Sequence, residues 1–437
     1  MEYPDVDTLR ALSTDELRHR QEVRLGACVA TAWRTPFYIR RWGDAGIGVG
    51  DIRGLDDLHT LPIIEKADIM AALDRRPPFG DLNTLVDGPI PPRVLHTTSG
   101  TTGTPQPVIW GAWSREVQNV LLARLYRWLG VGADDVVHSV YGHGLINGGH
   151  YMREAVVRYL DALFVSAGTG AETPSAKQVH LMKDFGATVL IGFGDYLRKL
   201  ADVAHDEGLM PGRDLRVRAL IGHLTEDRGA LEAAWGGALA YDWYGVADTG
   251  IIGGEGPERD GLHVWEDAHY VEILDVDSHE AVPDGSLGDM VITCLFKHDL
   301  GPLIRFNTHD VTAVRLGAND SGLPFRRIEG FRGRSDNMVK LRGINVYPTA
   351  IAAMLEGRPG LTGEYYCRRE RGADGSEMLT VVAEHDGSRP LTSADLTEAL
   401  SGLLGVRVNA TLVPPGSTAE MTGLLTRQKP IRLIDAR

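Results

Sequence analysis

The chain has 437 residues, enough to bury a large core and to form one big domain with a smaller one beside it. Its 45 Lys and Arg against 59 Asp and Glu give a formal net charge of −14, which argues against nonspecific nucleic-acid binding and against an anionic membrane surface. No apolar run approaches the ~20 residues of a membrane span. The N-terminus MEYPDVDTLR lacks the basic and apolar regions of a secretory signal. Cys28, Cys294 and Cys367 are odd in number and lack CxxC spacing, which suits a reducing, cytoplasmic compartment.

In chain order, residues 14–42 carry helical spacing behind a Ser13-x-x-Glu16 capping box. Leu61-Pro62-Ile63-Ile64-Glu65-Lys66 reads as a turn into a helix, and Gly and Pro at 76–92 mark an exposed loop. The apolar pair Val94-Leu95 then ends a strand and leads into His96-Thr97-Thr98-Ser99-Gly100-Thr101-Thr102-Gly103-Thr104-Pro105. Every residue from Thr97 to Thr104 is a hydroxyl residue or a glycine. Such a loop offers backbone N–H groups and hydroxyls with little bulk, as closely approaching phosphate oxygens require. It is not the common P-loop, because no Gly-Lys-Ser/Thr follows.

From about 90 to 250, apolar runs at 135–140, 162–165, 187–191 and 217–221 alternate with helical segments, the pattern of buried, largely parallel strands. Residues 262–315 read as short strands split by turns such as Pro283-Asp284-Gly285, and so as a β-rich subdomain. After Asp336 the order is helix 348–357, strands 362–369 and 377–384, helix 392–404 and strand 407–413, which suits a small α+β domain with an antiparallel sheet. The expected fold class is α/β: a large N-terminal α/β domain (1–335) with a β-rich subdomain, then a small C-terminal α+β domain (336–437).

Several segments carry a resemblance in one consistent order. TSGTTGTP at 98–105 resembles the phosphate loop of the adenylate-forming superfamily, which includes acyl-CoA and aryl-CoA ligases and adenylation domains. Tyr141-Gly142-His143-Gly144-Leu145-Ile146-Asn147-Gly148-Gly149 is similar to YGYGLFTGG of the phenylacetate–CoA ligase branch, and Ala240 to Asp248 to its AYDIYGLTE. Pro302 to Asp310 resembles PLIRYRTRD, residues 333–348 resemble GRSDDM…RGVNVFP, and Lys429 to Asp435 resembles GKAKRVID.

The resemblance implies ATP-dependent activation of a carboxylic acid to an acyl-adenylate, followed by transfer to the thiol of coenzyme A, with ATP and Mg²⁺ required. It implies that Ser99, Gly100, Thr101, Thr102 and Gly103 hold phosphates and that Tyr244 stacks on adenine. Asp310 would accept the ribose hydroxyls, with Arg334 as a second contact; one carboxylate suits two adjacent hydroxyl donors. Asp248 stands where the family has its Mg²⁺-binding Glu, a methylene shorter but still a hard oxygen ligand. Lys429 would be the catalytic lysine bridging carboxylate and α-phosphate, with Lys297 and Lys340 as fallbacks, and Arg305 is either structural or phosphate-directed. Asp336 would be the hinge of a mobile C-terminal domain, and Gly343 would line the coenzyme A tunnel. Thr104 replaces a Lys common in relatives, which removes one phosphate-facing charge.

By the same resemblance, the acid pocket would comprise Tyr141, His143, Gly144, Ile146, Gly148, Gly222 and Trp243. His143 and Ile146 replace the usual Tyr and Phe, and Ile221-Gly222-His223-Leu224-Thr225-Glu226 departs from a Gly-Ala-Glu-Pro run. A hydroxy- or amino-substituted aromatic acid, met by His143 or Asn147, is expected on the principle that a hydrogen-bonding site selects polar substrates. His138, His143 and His150 also raise a structural metal site, although their spacing does not share one helical face. Alternatives stay open: delivery of the acyl group to a carrier protein or an amine, and a nucleotide-binding scaffold without catalysis. The branch further suggests a homodimer.

Overall fold

Five strands lie parallel in the order Leu239–Val246, Ala219–Gly222, Val189–Ile191, Val136–Ser139, Leu163–Ser166. Three further strands, Gly250–Gly254, Leu262–Val264 and Arg327–Ile328, extend the same sheet antiparallel beyond Leu239–Val246. Val189–Ile191 and Ala219–Gly222 are buried along their whole length, which is why they read as unbroken apolar runs. Helices Asn147–Tyr159, Ser175–Asp184, Gly194–Asp206 and Arg228–Ala234 make the crossovers. Strand order reverses around Val136–Ser139, whose sequence successor Leu163–Ser166 lies on one side and Val189–Ile191 on the other. In such sheets the loops at the carboxyl ends beside the reversal form the ligand crevice.

The structure is a computed structural model and describes residues 3–98, 106–224, 228–342, 344–356, 358–372, 377–424 and 430–436. Two compact units divide the chain. One holds the residues up to 224 together with 228–308 and 312–330, and the other holds 309–311 and the residues from 331 onward.

In the first unit, the segment read as one helix over 14–42 is two, Thr14–Ala32 and Pro36–Asp44. Pro36 occupies the first turn of the second, where a missing N–H is harmless and cannot continue the first. The Ser13 capping box forms as expected, with Ser13 Oγ accepting from the Glu16 N–H and Glu16 accepting from the Ser13 N–H. The β-rich stretch is present, with His269–Leu274 antiparallel to Gly288–Cys294, but Leu262–Val264 belongs to the large sheet. Helix Ala112–Trp128 is the central element of this core; Leu121, Leu122, Ala123, Leu125 and Tyr126 are fully buried.

The second unit has a four-stranded sheet in the order Asn409–Val413, Glu377–His385, Leu361–Arg371, Leu433–Asp435. The antiparallel expectation is corrected here. Only the central hairpin pair is antiparallel, whereas Asn409–Val413 and Leu433–Asp435 each join parallel. Helix Ser393–Leu404 separates Glu377–His385 from Asn409–Val413, and a crossover helix returns the chain in the same direction. The helix expected at 348–357 is a 3₁₀ turn, Pro348–Ala350, running into Ile351–Leu355.

Candidate active site

The carboxyl ends of four adjacent parallel strands in the first unit carry Tyr141, Phe193, His223 and Trp243. The His223 imidazole is stacked between Phe193 (5.4 Å between ring centroids, 21° between planes) and Trp243 (4.6 Å, 30°). Tyr141 packs at 4.8 Å against Phe193 and 6.4 Å from Trp243, and Tyr151 meets Trp243 edge-on at 6.2 Å. Tyr244 lies edge-on to His223 at 6.5 Å. Rings at offset or tilted geometry and this spacing are mutually attractive beyond their apolar burial. A Cβ on Gly222 would collide with the carbonyl of Gly192, so only glycine lets the ends of these two strands approach.

The acid-loop residues gather beside this tier. Gly148 places its Cα side against the Tyr141 ring, and Gly144 O accepts from His150 Nε2 at 2.8 Å. Ile146 caps helix Asn147–Tyr159 and is half-buried. The His143 N–H donates to Glu172 Oε1 at 3.1 Å, and its ring lies 5.8 Å from His150, which lies 5.2 Å from His96. Burial, then the neighbouring His150, holds the His143 imidazole below its usual pKa. Asn147 Nδ2 is bonded to Gln118 Oε1 at 3.0 Å. His138 is turned to Gln178 instead. Among the described residues no cluster of three His, Cys, Asp or Glu side chains is placed to hold a metal.

Asp248 is buried, and its Oδ1 accepts from Gln106 Nε2 at 2.7 Å, while its backbone carbonyl accepts from the buried Lys297 Nζ at 3.3 Å. Lys297 also sits 4.2 Å from the centre of the Trp110 ring. Burial pushes the Asp248 carboxyl up, while Lys297 and the Gln106 amide oppose that shift. A buried carboxylate with hard oxygen donors and an unfavourable desolvation cost fits Mg²⁺, which compensates that charge. Strands Arg93–Thr97 and Pro107–Gly111 pair antiparallel and bring Thr98 and Gln106 together on either side of the hydroxyl loop. Ser99, Gly100, Thr101, Thr102 and Gly103 themselves lie outside the described residues, as do Thr104, Gly343 and Lys429.

In the second unit, Asp310 pairs across the strands with Arg334. Arg334 Nη1 donates to Asp310 Oδ1 at 3.0 Å, and its Nε and Nη2 donate to Asp336 at 2.8 and 2.6 Å. Asp310 is buried and Asp336 exposed. Arg305 is structural: its guanidinium grips Glu272 in a two-pronged pair (3.0 and 2.9 Å) and donates to the carbonyls of His59 and Leu61.

Sequence reasoning misses Phe193, Gln106, Asp242 and Tyr151 of helix Asn147–Tyr159. For Phe193 the available signal is its position just after an apolar strand run. For Asp242 it is a lone carboxylate inside the apolar strand Leu239–Val246, where it accepts from the Leu224 N–H at 3.1 Å.

Solved structures share this architecture. The chain superposes on 2-hydroxyisobutyryl-CoA ligase, solved in its postadenylation state with an acyl-adenylate, with a TM-score of 0.82 at 26% identity, covering 97% of this chain and 89% of that one. MatB from Rhodopseudomonas palustris, at 18% identity and TM-score 0.55, shares the fold over 77% of this chain and 67% of its own. Fold and comparison together define an AMP-forming acid–thiol ligase that works with ATP, Mg²⁺ and coenzyme A. An AMP-binding enzyme C-terminal domain matches residues 343–437. A phenylacetate–coenzyme A ligase of Thermus thermophilus is 31% identical over the full length of both chains, and one of Pseudomonas putida is 31% identical over 96% of this chain and 95% of its own. The chain therefore belongs to the phenylacetate–CoA ligase-like branch of the adenylate-forming superfamily.

Proposed function

We propose that the enzyme activates an aromatic carboxylic acid bearing a hydroxyl or amino group and passes the acyl group to coenzyme A. The observation that carries this reading is the aromatic tier of Tyr141, Phe193, His223 and Trp243 at the strand ends, which holds the imidazole of His223 and adjoins the acid loop. In this reading the acid enters beside Gly144, Ile146, Gly148 and Gly222, and its carboxylate attacks the α-phosphate of ATP. Tyr244 supports the adenine ring, and Asp310, oriented by Arg334, accepts the ribose hydroxyls. Ser99 to Gly103 hold the phosphates, and Asp248 would hold Mg²⁺, which neutralises charge developing on the phosphate oxygens. Lys429 bridges carboxylate and phosphate, Asp336 is the hinge residue, and Gly343 lines the thiol path. A homodimer working in the cytoplasm completes the proposal, with a carrier protein or an amine as the alternative acceptor.

A compact aliphatic hydroxy acid is the second reading. The His223 ring fills the slot between Phe193 and Trp243, and the structural relative solved with an adenylate acts on 2-hydroxyisobutyrate. The test is acid-dependent pyrophosphate–ATP exchange across benzoates and arylacetates, with Lys429→Ala as control. Exchange is expected with a substituted aromatic acid, stopping when Mg²⁺ is chelated and falling at least a hundredfold in the mutant. Exchange insensitive to Lys429→Ala refutes the assignment of that lysine.

A further inference from the structure

Strand Phe306–Thr312 carries Asp310 and meets strand Gly333–Arg334 over only two residue pairs, Asp310 with Arg334 and Val311 with Gly333. A ladder this short supplies few backbone hydrogen bonds to fix Arg334 against the carboxylate it orients. The same antiparallel register sets His309 opposite Ser335, one step beyond the last pair. A side-chain bond forms there: His309 Nδ1 and Ser335 Oγ are hydrogen-bonded at 3.0 Å. Ser335 opens the 3₁₀ turn Ser335–Asn337, which also carries Asp336. Two successive cross-strand pairs, His309 with Ser335 and Asp310 with Arg334, thus fasten this turn to the strand.

His309 is also where the strand leaves regular geometry. Its φ is +58°, a left-handed conformation uncommon for a residue with a side chain. Its neighbours hold it there. Thr308 Oγ1 donates to the Met290 carbonyl at 2.8 Å, and Asp310 accepts from Arg334 at 3.0 Å. Glycine would adopt the same backbone at no steric cost. What histidine adds is the ring, and the ring is the part that reaches Ser335. Strained residues of this kind persist where surrounding contacts over-determine them, and they gather at functional sites. Asp336 gives the clasp its importance. It accepts from the Nε and Nη2 of Arg334 at 2.8 and 2.6 Å, so a loosened turn would carry that guanidinium away from Asp310.

We propose that His309 is a positioning residue for nucleotide selection: its bond to Ser335 keeps Arg334 on Asp310 and so aims the Asp310 carboxylate at the ribose hydroxyls of ATP. The contacts run from His309 to Ser335, through the adjoining Arg334, to Asp310. His309 itself touches no substrate in this scheme. The inference rests on the reading that Asp310 accepts both ribose hydroxyls, and it adds a residue which that reading does not use. A carboxylate turned off those two donors discriminates less against a sugar that lacks one of them, because the selective hydrogen bond is the one misaligned.

The experiment measures binding of ATP and of 2′-deoxy-ATP by calorimetry with Mg²⁺ present, which needs no knowledge of the acid. Wild type is compared with Asp310→Asn, His309→Gly, His309→Asn, Ser335→Ala and the double variant of His309→Gly with Ser335→Ala. Wild type is expected to favour ATP on the order of tenfold, the worth of a hydrogen bond to a charged group, and Asp310→Asn to lose most of that preference. His309→Gly and Ser335→Ala should each cut the preference about fivefold, as one neutral hydrogen bond would, and the double variant no further. His309→Asn should restore it, because Asn tolerates the left-handed backbone and places a polar atom at the position of Nδ1. A purely structural His309 would weaken both nucleotides alike and leave their ratio unmoved. A ratio unmoved in His309→Gly and Ser335→Ala but lost in Asp310→Asn overturns the inference and leaves the ribose reading standing. A wild type that binds both nucleotides equally or neither, or an Asp310→Asn that keeps the preference, overturns the ribose assignment and this inference with it.

Discussion

Asp242 lies between two aromatic residues on strand Leu239–Val246, and burial pushes its carboxyl from the ordinary range to about 7. The Leu224 N–H and Arg228 oppose the shift, and Glu255 adds to it. A carboxyl whose pKa is higher folded than unfolded holds its proton more tightly in the native state. Its contribution to stability is therefore favourable below about pH 4 and is lost as pH rises from there to about 7. At full burial such a shift is worth about 4 kcal/mol; partial solvent access reduces the expectation to about 2 kcal/mol. Asp242→Asn keeps the acceptor for Leu224 and removes the charge. Urea unfolding should show it about 2 kcal/mol more stable than wild type at pH 8 and no different at pH 4. Equal stability at both pH values counts against a raised Asp242.

Elements are tied together by a buried charge cluster. Arg124, on helix Ala112–Trp128, grips Asp267 through two hydrogen bonds of 2.9 and 2.8 Å, with both side chains fully buried. Arg24, on helix Thr14–Ala32, lies 3.9 Å from the same carboxylate and stacks on Tyr3, while Arg124 lies over Trp265. One acid thus anchors two helices to the turn between Leu262–Val264 and His269–Leu274. Removing it leaves the Arg124 guanidinium buried without its carboxylate, while Arg24 keeps the Asp267 backbone carbonyl, so Asp267→Ala should lose about 3–5 kcal/mol in denaturant midpoint analysis. A loss under 1 kcal/mol would mean that water already shares the cluster.

At this scale the sequence is partly legible. Alternating apolar runs and helices reveal the parallel sheet because fully buried strands need no polar face, and the Ser13 cap is visible because its partner is three residues away. The split at Pro36 is missed because apolar spacing continues through it. The parallel edges of the C-terminal sheet are missed because strand order alone does not give pairing. Tyr126 and Gln118 sit on an apolar helical stripe and read as core.

Across the whole molecule, a ligase of this class must perform two half-reactions, acyl-adenylate formation and thiol transfer, and different residues should separate them. Gly343 itself lies outside the described residues and follows Arg342 in the sequence; in the proposed reading it lines the path of the coenzyme A thiol. A side chain there would obstruct a narrow chain that only glycine admits. Adenylation asks only for acid, ATP and Mg²⁺, so it should be touched far less. Gly343→Leu is therefore expected to shift the ratio of thioester formation to pyrophosphate exchange by on the order of a hundredfold, since a misplaced thiol loses its advantage of position. Parallel loss of both activities would mean that the glycine serves folding rather than the thiol path. Wild-type exchange without any coenzyme A thioester would instead identify a carrier protein or an amine as the acceptor, and Gly343→Leu would then separate transfer from activation only when that acceptor is supplied.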